Sequence, residues 1–209
     1  MLDDTQIAIQ NMARQFAQEQ LWPGAETRDR PGQFPRAQLA EMGALGFLGM
    51  LVPEEYGGLD SDTVSYANVV EEIAAGDGAC STILSVHSSV ACVPIRTYGT
   101  QAQKEKYLPK LASGEGIGNF ALTEPQAGSD ASNLRTTAVR DGDHYILNGA
   151  KQFITSGKNG NLIIVFAVTD KTAGKHGISA FIVEPDMPGY EVVRVEEKLG
   201  LSSSDTCQL

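Results

Sequence analysis

Thr136-Thr137-Ala138-Val139-Arg140-Asp141-Gly142-Asp143-His144-Tyr145-Ile146-Leu147-Asn148 decides the fold. Two β-prone segments flank Asp141-Gly142-Asp143. Asp-Gly between such segments is a strong hairpin signal, because glycine tolerates the left-handed backbone of a tight turn. Downstream, 162–168 and 178–183 are β-rich runs joined by the polar, glycine-containing loop 170–177, and 191–195 reads as one more strand. Upstream of Ser113 the apolar period is near 3.6 instead of 2. Ile9, Met12, Ala13 and Phe16 lie on one helical face within 3–21, with Asp3, Asp4 or Thr5 as cap and Pro23 beyond the end. Helices are also predicted over 36–45, closed by Gly46, over 62–75 with a buried stripe of Val64, Ala67, Val70 and Ile73, and over 101–111. Residues 79–97 are apolar or small all round, as in a helix buried between others, and Pro94 is expected to kink or end it early. Helices followed by strands make an α+β chain. The expected division is a helical domain at 1–114 and an antiparallel, barrel-like β domain at 115–209.

With 16 Lys and Arg against 26 Asp and Glu, the formal charge is −10. That argues against a nucleic-acid binder, which needs a dense basic surface, and gives no reason to expect an anionic membrane partner. A phosphorylated ligand stays open, since backbone N–H groups can hold phosphate on an acidic protein. The acidic start Met1-Leu2-Asp3-Asp4 does not read as a signal peptide. No uninterrupted apolar run reads as long enough to cross a bilayer. Cys80, Cys92 and Cys207 fit neither a disulfide framework nor a metal site and are expected as buried thiols; a cytoplasmic location follows by default.

Two segments carry chemistry. Phe120-Ala121-Leu122-Thr123-Glu124-Pro125-Gln126-Ala127-Gly128-Ser129-Asp130 runs a strand into a turn bearing the hydroxyls of Thr123 and Ser129. Its small residues let backbone approach a flat, oxygen-rich ligand or a phosphate. Taken alone, it reads more readily as an ordinary strand-end turn. In Gly149-Ala150-Lys151-Gln152-Phe153-Ile154-Thr155-Ser156-Gly157, Phe153 and Thr155 are two apart and share a face in a strand. They can stack on a planar cofactor and bond to it, or form a cross-strand packing pair.

In this order and spacing the first segment resembles the signature of the acyl-CoA dehydrogenase family. Ala121 through Asp130 match its places, and Asn133 stands where a small residue is usual. The second resembles the family's Lys-x-aromatic-Ile-Thr/Ser strand, with Phe153 where Trp is common; phenylalanine keeps the stacking surface and drops an N–H. Pro53-Glu54-Glu55-Tyr56-Gly57-Gly58, Tyr98-Gly99-Thr100 and Lys198-Leu199-Gly200 with Ser204-Asp205-Thr206 are also family-like.

The resemblance implies an N-terminal helical domain, a middle β domain and a C-terminal helical bundle that this chain lacks. It implies FAD, with Phe120, Leu122, Thr123, Gly128, Ser129, Phe153, Ile154 and Thr155 as cofactor-binding residues. Ser129 and Lys175, in the loop with Lys171 and His176, are the implied acyl-CoA contacts. The implied reaction is α,β-dehydrogenation of an acyl-CoA thioester, with electron-transferring flavoprotein as acceptor and a homodimer or homotetramer as the assembly. The family's base is a carboxylate in the missing bundle, so no catalytic residue is assigned here and Glu124 is read as structural. No metal is implied. The strand beginning at Cys207-Gln208-Leu209 is expected to continue in a longer chain. The competing readings are an acyl-CoA oxidase or flavin monooxygenase fragment, and a short non-catalytic binding protein. Ser85, Ser88 and Ser89 suggest a short or branched acyl group.

Overall fold

The computed structural model describes residues 2–209. Helix α1, Asp4–Phe16, starts at Asp3, whose carboxylate accepts from the Gln6 amide while the Gln6 side chain bonds back to the Asp3 N–H. That reciprocal box satisfies two otherwise orphaned donors. The helical path then passes through a π turn, Ala17–Leu21, and a 3₁₀ turn, Trp22–Gly24, into α2, Ala25–Asp29. Helix α3, Arg36–Ala44, and helix α4, Thr63–Gly76, follow, the latter capped by Asp62. On α1, Ala13 and Phe16 are buried and Met12 is not. The stripe expected on α4 is rotated: Ser65, Val69, Glu72, Ile73 and Gly76 are buried, whereas Val64 and Ala67 face solvent. Glu72 turns inward because Arg14 and Gln10 of α1 bond its carboxylate, and a paired charge tolerates burial.

Three segments then run end to end without a break: α5, Gly78–Val86, a π turn, His87–Cys92, and α6, Val93–Tyr98. Pro94 therefore does not end the helix. The Val93 N–H reaches back five residues to Ser88, and the Trp22 N–H likewise to Ala17, each just before a proline. The wider π turn relieves the clash that a proline ring makes with the carbonyl four residues back. The 21-residue helical run Gly78–Tyr98 is long and apolar enough on average to cross a membrane, although serines, threonines, His87 and Arg96 interrupt it, so it is not the uninterrupted apolar run whose absence the sequence showed. More than half of its most apolar 18-residue stretch is buried inside this fold, with His87 and Ser88 fully enclosed. Helix α7, Gln101–Ala112, closes the helical half behind a second capping box made by Thr100 and Gln103.

The strands are β1 Gly118–Ala121, β2 Thr137–Asp141, β3 His144–Asn148, β4 Ile154–Thr155, β5 Leu162–Val168, β6 Ile178–Val183, β7 Arg194–Val195 and β8 Thr206–Gln208. The predicted hairpins β2–β3 and β5–β6 both form. The barrel does not. Strands β1, β5, β2, β3 and β6 make one open sheet, and β4, β8 and β7 a second, small antiparallel one. The large sheet is mixed: β1 pairs β5 in parallel, Gly118 opposite Leu162, and Thr137 of β2 meets Val168 in parallel on the same edge. Alternating side chains report a strand but not its direction. The long connection between β1 and β5 permits the parallel sense that a two-residue turn forbids.

One face of the large sheet, carrying Leu162 and Ile164, packs on Val52, Cys92, Ile95, Leu108 and Leu111 of the helical half. The opposite face, carrying Ala121 and Ile163, packs on Ile154 of the small sheet. Gly118 is required where β1 crosses the π turn, since a Cβ there would lie 2.5 Å from that of Ala91. The Gly118 N–H donates to Nδ1 of His87 at 3.0 Å. All three cysteines are buried free thiols.

Candidate functional site

The chemistry-bearing segments meet where β1 runs out. Phe120 lies on the helix-covered face, its ring against that of Phe166 at 5.1 Å. Past Ala121 the chain leaves the ladder, and Leu122 and Thr123 are half-buried. Glu124 and Ala127 exchange both backbone hydrogen bonds around Pro125-Gln126, which reverses the chain. Gly128 and Ser129 follow on the exposed side, and a Cβ built on Gly128 would meet nothing within 4 Å. The turn thus offers open, hydroxyl-bearing backbone to an incoming ligand.

The second segment is stitched to the first. The Gln152 N–H donates to the Thr123 carbonyl at 2.9 Å, and Lys151 Nζ donates to the Leu122 carbonyl at 3.1 Å. Ile154 pairs with Cys207, yet Lys151 pairs with Leu209. One extra residue is therefore accommodated between Lys151 and Ile154, a β-bulge. Phe153 takes up the slack in a left-handed conformation, φ 58°, and is 62% exposed. Its direction is set by the bulge and not by strand alternation with Thr155, as the sequence had suggested. A large aromatic held outward on strained backbone is a marker of function. Thr155 is half-buried beside it, whereas the side chain of Ile154 is core and can offer only its backbone to a ligand.

Behind this surface sits a feature whose coupling the sequence did not reveal. Lys151 and Glu124, each 4% exposed, form an ion pair at 2.8 Å. Glu124 Oε1 also accepts from the Thr136 N–H at 3.0 Å, and Oε2 accepts from the Arg135 N–H at 2.6 Å and Gln126 Nε2 at 2.7 Å. Burial pushes the carboxyl up, but these donors outweigh it and hold the pKa at about 2. Burial lowers the Lys151 pKa against the pull of Glu124. A carboxylate so saturated has no lone pair available for a substrate proton, which fits a structural role and not that of a base. The only sequence signal was two charges in otherwise small and apolar surroundings.

Lys175 lies on the exposed loop after β5, Lys171–Gly177, at the end of the sheet toward which parallel β1 also runs. Among the described residues no three His, Cys, Asp or Glu side chains converge as metal ligands. A cleft of about 370 Å³ lies elsewhere, between Lys106, Lys110, Asn161 and Glu184, and none of the expected site residues lines it.

The chain matches the acyl-CoA dehydrogenase N-terminal domain over residues 3–115 and the acyl-CoA dehydrogenase middle domain over residues 119–209. It is 47% identical over 204 residues to an acyl-CoA dehydrogenase of Bacillus subtilis, covering 98% of this chain and 54% of that one. The butyryl-CoA dehydrogenase structure from Megasphaera elsdenii superposes with a TM-score of 0.95 at 41% identity, covering 100% of this chain and 55% of that one. A glutaryl-CoA dehydrogenase from Mycobacterium smegmatis, solved in complex with FADH2, superposes with a TM-score of 0.92 at 38% identity, covering 99% and 52%. The chain belongs to the acyl-CoA dehydrogenase family. It spans about half the length of these relatives.

Proposed function

We propose that this chain supplies the flavin-holding half of an FAD-dependent acyl-CoA dehydrogenase. The observation that carries the reading is the outward Phe153, locked to the Leu122–Thr123 backbone beside an open, hydroxyl-bearing turn. An isoalloxazine is flat, apolar on its faces and polar at its edge, and this surface offers an aromatic face with hydroxyls around it. Phe153 would stack, Thr123 and Thr155 would bond to the ring edge, and Gly128 and Ser129 would let the pyrophosphate approach backbone. When bound, FAD supplies the hydride acceptor for α,β-dehydrogenation. The side chains named here bind, orient and exclude water. The base that removes the α proton is assigned outside residues 1–209, as is the rest of the substrate pocket. Division into a helical domain, 1–114, and a middle domain, 115–209, belongs to this reading. So do Ser129 and Lys175 as contacts to acyl-CoA, a short acyl group, and electron-transferring flavoprotein as acceptor.

The test is to purify the full gene product, extract and quantify its flavin, and follow butyryl-CoA oxidation with a dye acceptor. Stoichiometric FAD with turnover supports the reading. A protein that takes up no FAD on reconstitution sinks it.

A further inference from the structure

Resting on that flavin reading, we infer that Lys151 and Glu124 are positioning residues that set the shape of the cofactor-facing surface from beneath. Burying an ion pair returns little net stability, because both charges must leave water; an apolar pair of similar volume often does as well. What this pair does achieve is geometric. Lys151 Nζ bridges the Glu124 carboxylate and the Leu122 carbonyl. Its backbone exchanges both hydrogen bonds with Leu209, at 2.8 and 2.9 Å, on the other side of the bulge. Glu124 in turn ties the reversing turn to Arg135 and Thr136, at the entry to β2. One ammonium and one carboxylate therefore fix three stretches together: the Leu122–Thr123 backbone, the Phe153 bulge and the start of the β2–β3 hairpin. With the Gln152 N–H holding the Thr123 carbonyl, both carbonyls before the turn are engaged by the 151–152 segment.

A purely structural pair and a positioning pair respond differently to joint replacement. In Lys151→Met with Glu124→Gln the charges vanish together, so no buried charge is left alone. The positioning role predicts that this double variant of the full-length protein folds with native circular dichroism but binds FAD at least about tenfold more weakly, the scale of one lost charge-assisted hydrogen bond. The visible band of its bound flavin should also shift. Lys151→Arg, which keeps a cation paired with Glu124 but alters its reach to the Leu122 carbonyl, should lose affinity in the same direction and guards against the double variant failing to fold. Leu39→Ala, in the helical core, serves as a destabilised control that should keep wild-type FAD affinity. If both pair variants bind FAD as wild type does, or lose no more than Leu39→Ala, the positioning role is overturned. If the wild-type protein itself takes up no FAD, the flavin reading fails first and this inference goes with it.

Discussion

The helical half and the small sheet under the site are held together by different means. Among the described residues, fourteen buried residues of the helical half, from Ala13 to Leu84, form one apolar cluster with Ile117, and Phe16 and Phe47 are in edge contact at 6.1 Å. Beneath the site the apolar cluster has three buried members, Ala121, Ile154 and Ile163. Polar pins do the rest. Asp205 accepts from the Lys158 N–H and Asn159 Nδ2 while its carbonyl takes the Ser156 N–H, and Lys151 and Glu124 knit the turn. Hydrophobic burial is non-directional and tolerant of shape, whereas hydrogen bonds fix angles. The helical half has polar pins of its own, Arg28 with Asp77 and Arg14 with Glu72, but rests chiefly on the first. A surface that must present a side chain in one direction needs the second.

The largest effect that would test this contrast is in the helical core. Phe47→Ala should cost about 3–5 kcal/mol in urea unfolding, through lost transfer energy and a residual cavity. A cost below that of any single pin beneath the site would break the contrast. Acid should separate the two regions by pH. Burial pushes the His87 pKa down from 6.5 to about 4, so the unfolded chain binds the proton first. His87 therefore supports the fold fully above pH 6.5, and that contribution falls by about 1.4 kcal/mol per unit as pH drops toward 4. The contribution of Glu124, depressed from 4.5 to about 2, is full above pH 4.5 and fades between there and pH 2. Denaturant midpoints across pH 7 to 3 should show the earlier loss, and His87→Gln should flatten it. An unchanged slope in that variant would remove His87 as the cause.

Smaller effects sharpen the difference. Asp205→Ala should cost about 1–3 kcal/mol by orphaning buried donors, and amide exchange should quicken around Ser156 to Asn159 more than in α4. Phe153→Ala should change stability by no more than about 0.5 kcal/mol, since the ring is mostly exposed, or raise it by easing the crowding of a left-handed residue. Its cost should appear in FAD affinity. A large loss of stability would mean that Phe153 is core and not a presented surface.

Much of this was legible in the letters. Periodicity located the main helices and the hairpins at Gly142 and at 170–177 to within a few residues, because those depend on neighbours close in sequence. The π turns before Pro23 and Pro94 were not legible. Proline marks a conflict, and whether the helix stops or widens depends on packing around it. The parallel β1–β5 pairing was hidden for the same reason: direction is a tertiary property. At the site, Ala121 to Asp130 announced itself as a motif. The outward direction of Phe153 did not, because the bulge arises from a one-residue mismatch against the 207–209 strand. Lys151 and Glu124 were each visible, but nothing local joins residues 27 apart.

The parallel strand has a kinetic consequence. Strands β2 and β3 close across a two-residue turn, and β5 and β6 across a short loop, both cheap in chain entropy. Strand β1 gains its ladder only when Gly118 finds Leu162, 44 residues away, after the intervening chain has been ordered. The turn carrying Thr123 to Ser129 follows β1 directly, so the site should be among the last parts to form during refolding. Pulse-labelled hydrogen exchange should find the amides of β3 protected before those of β1, and the reverse order would show that the long pairing leads.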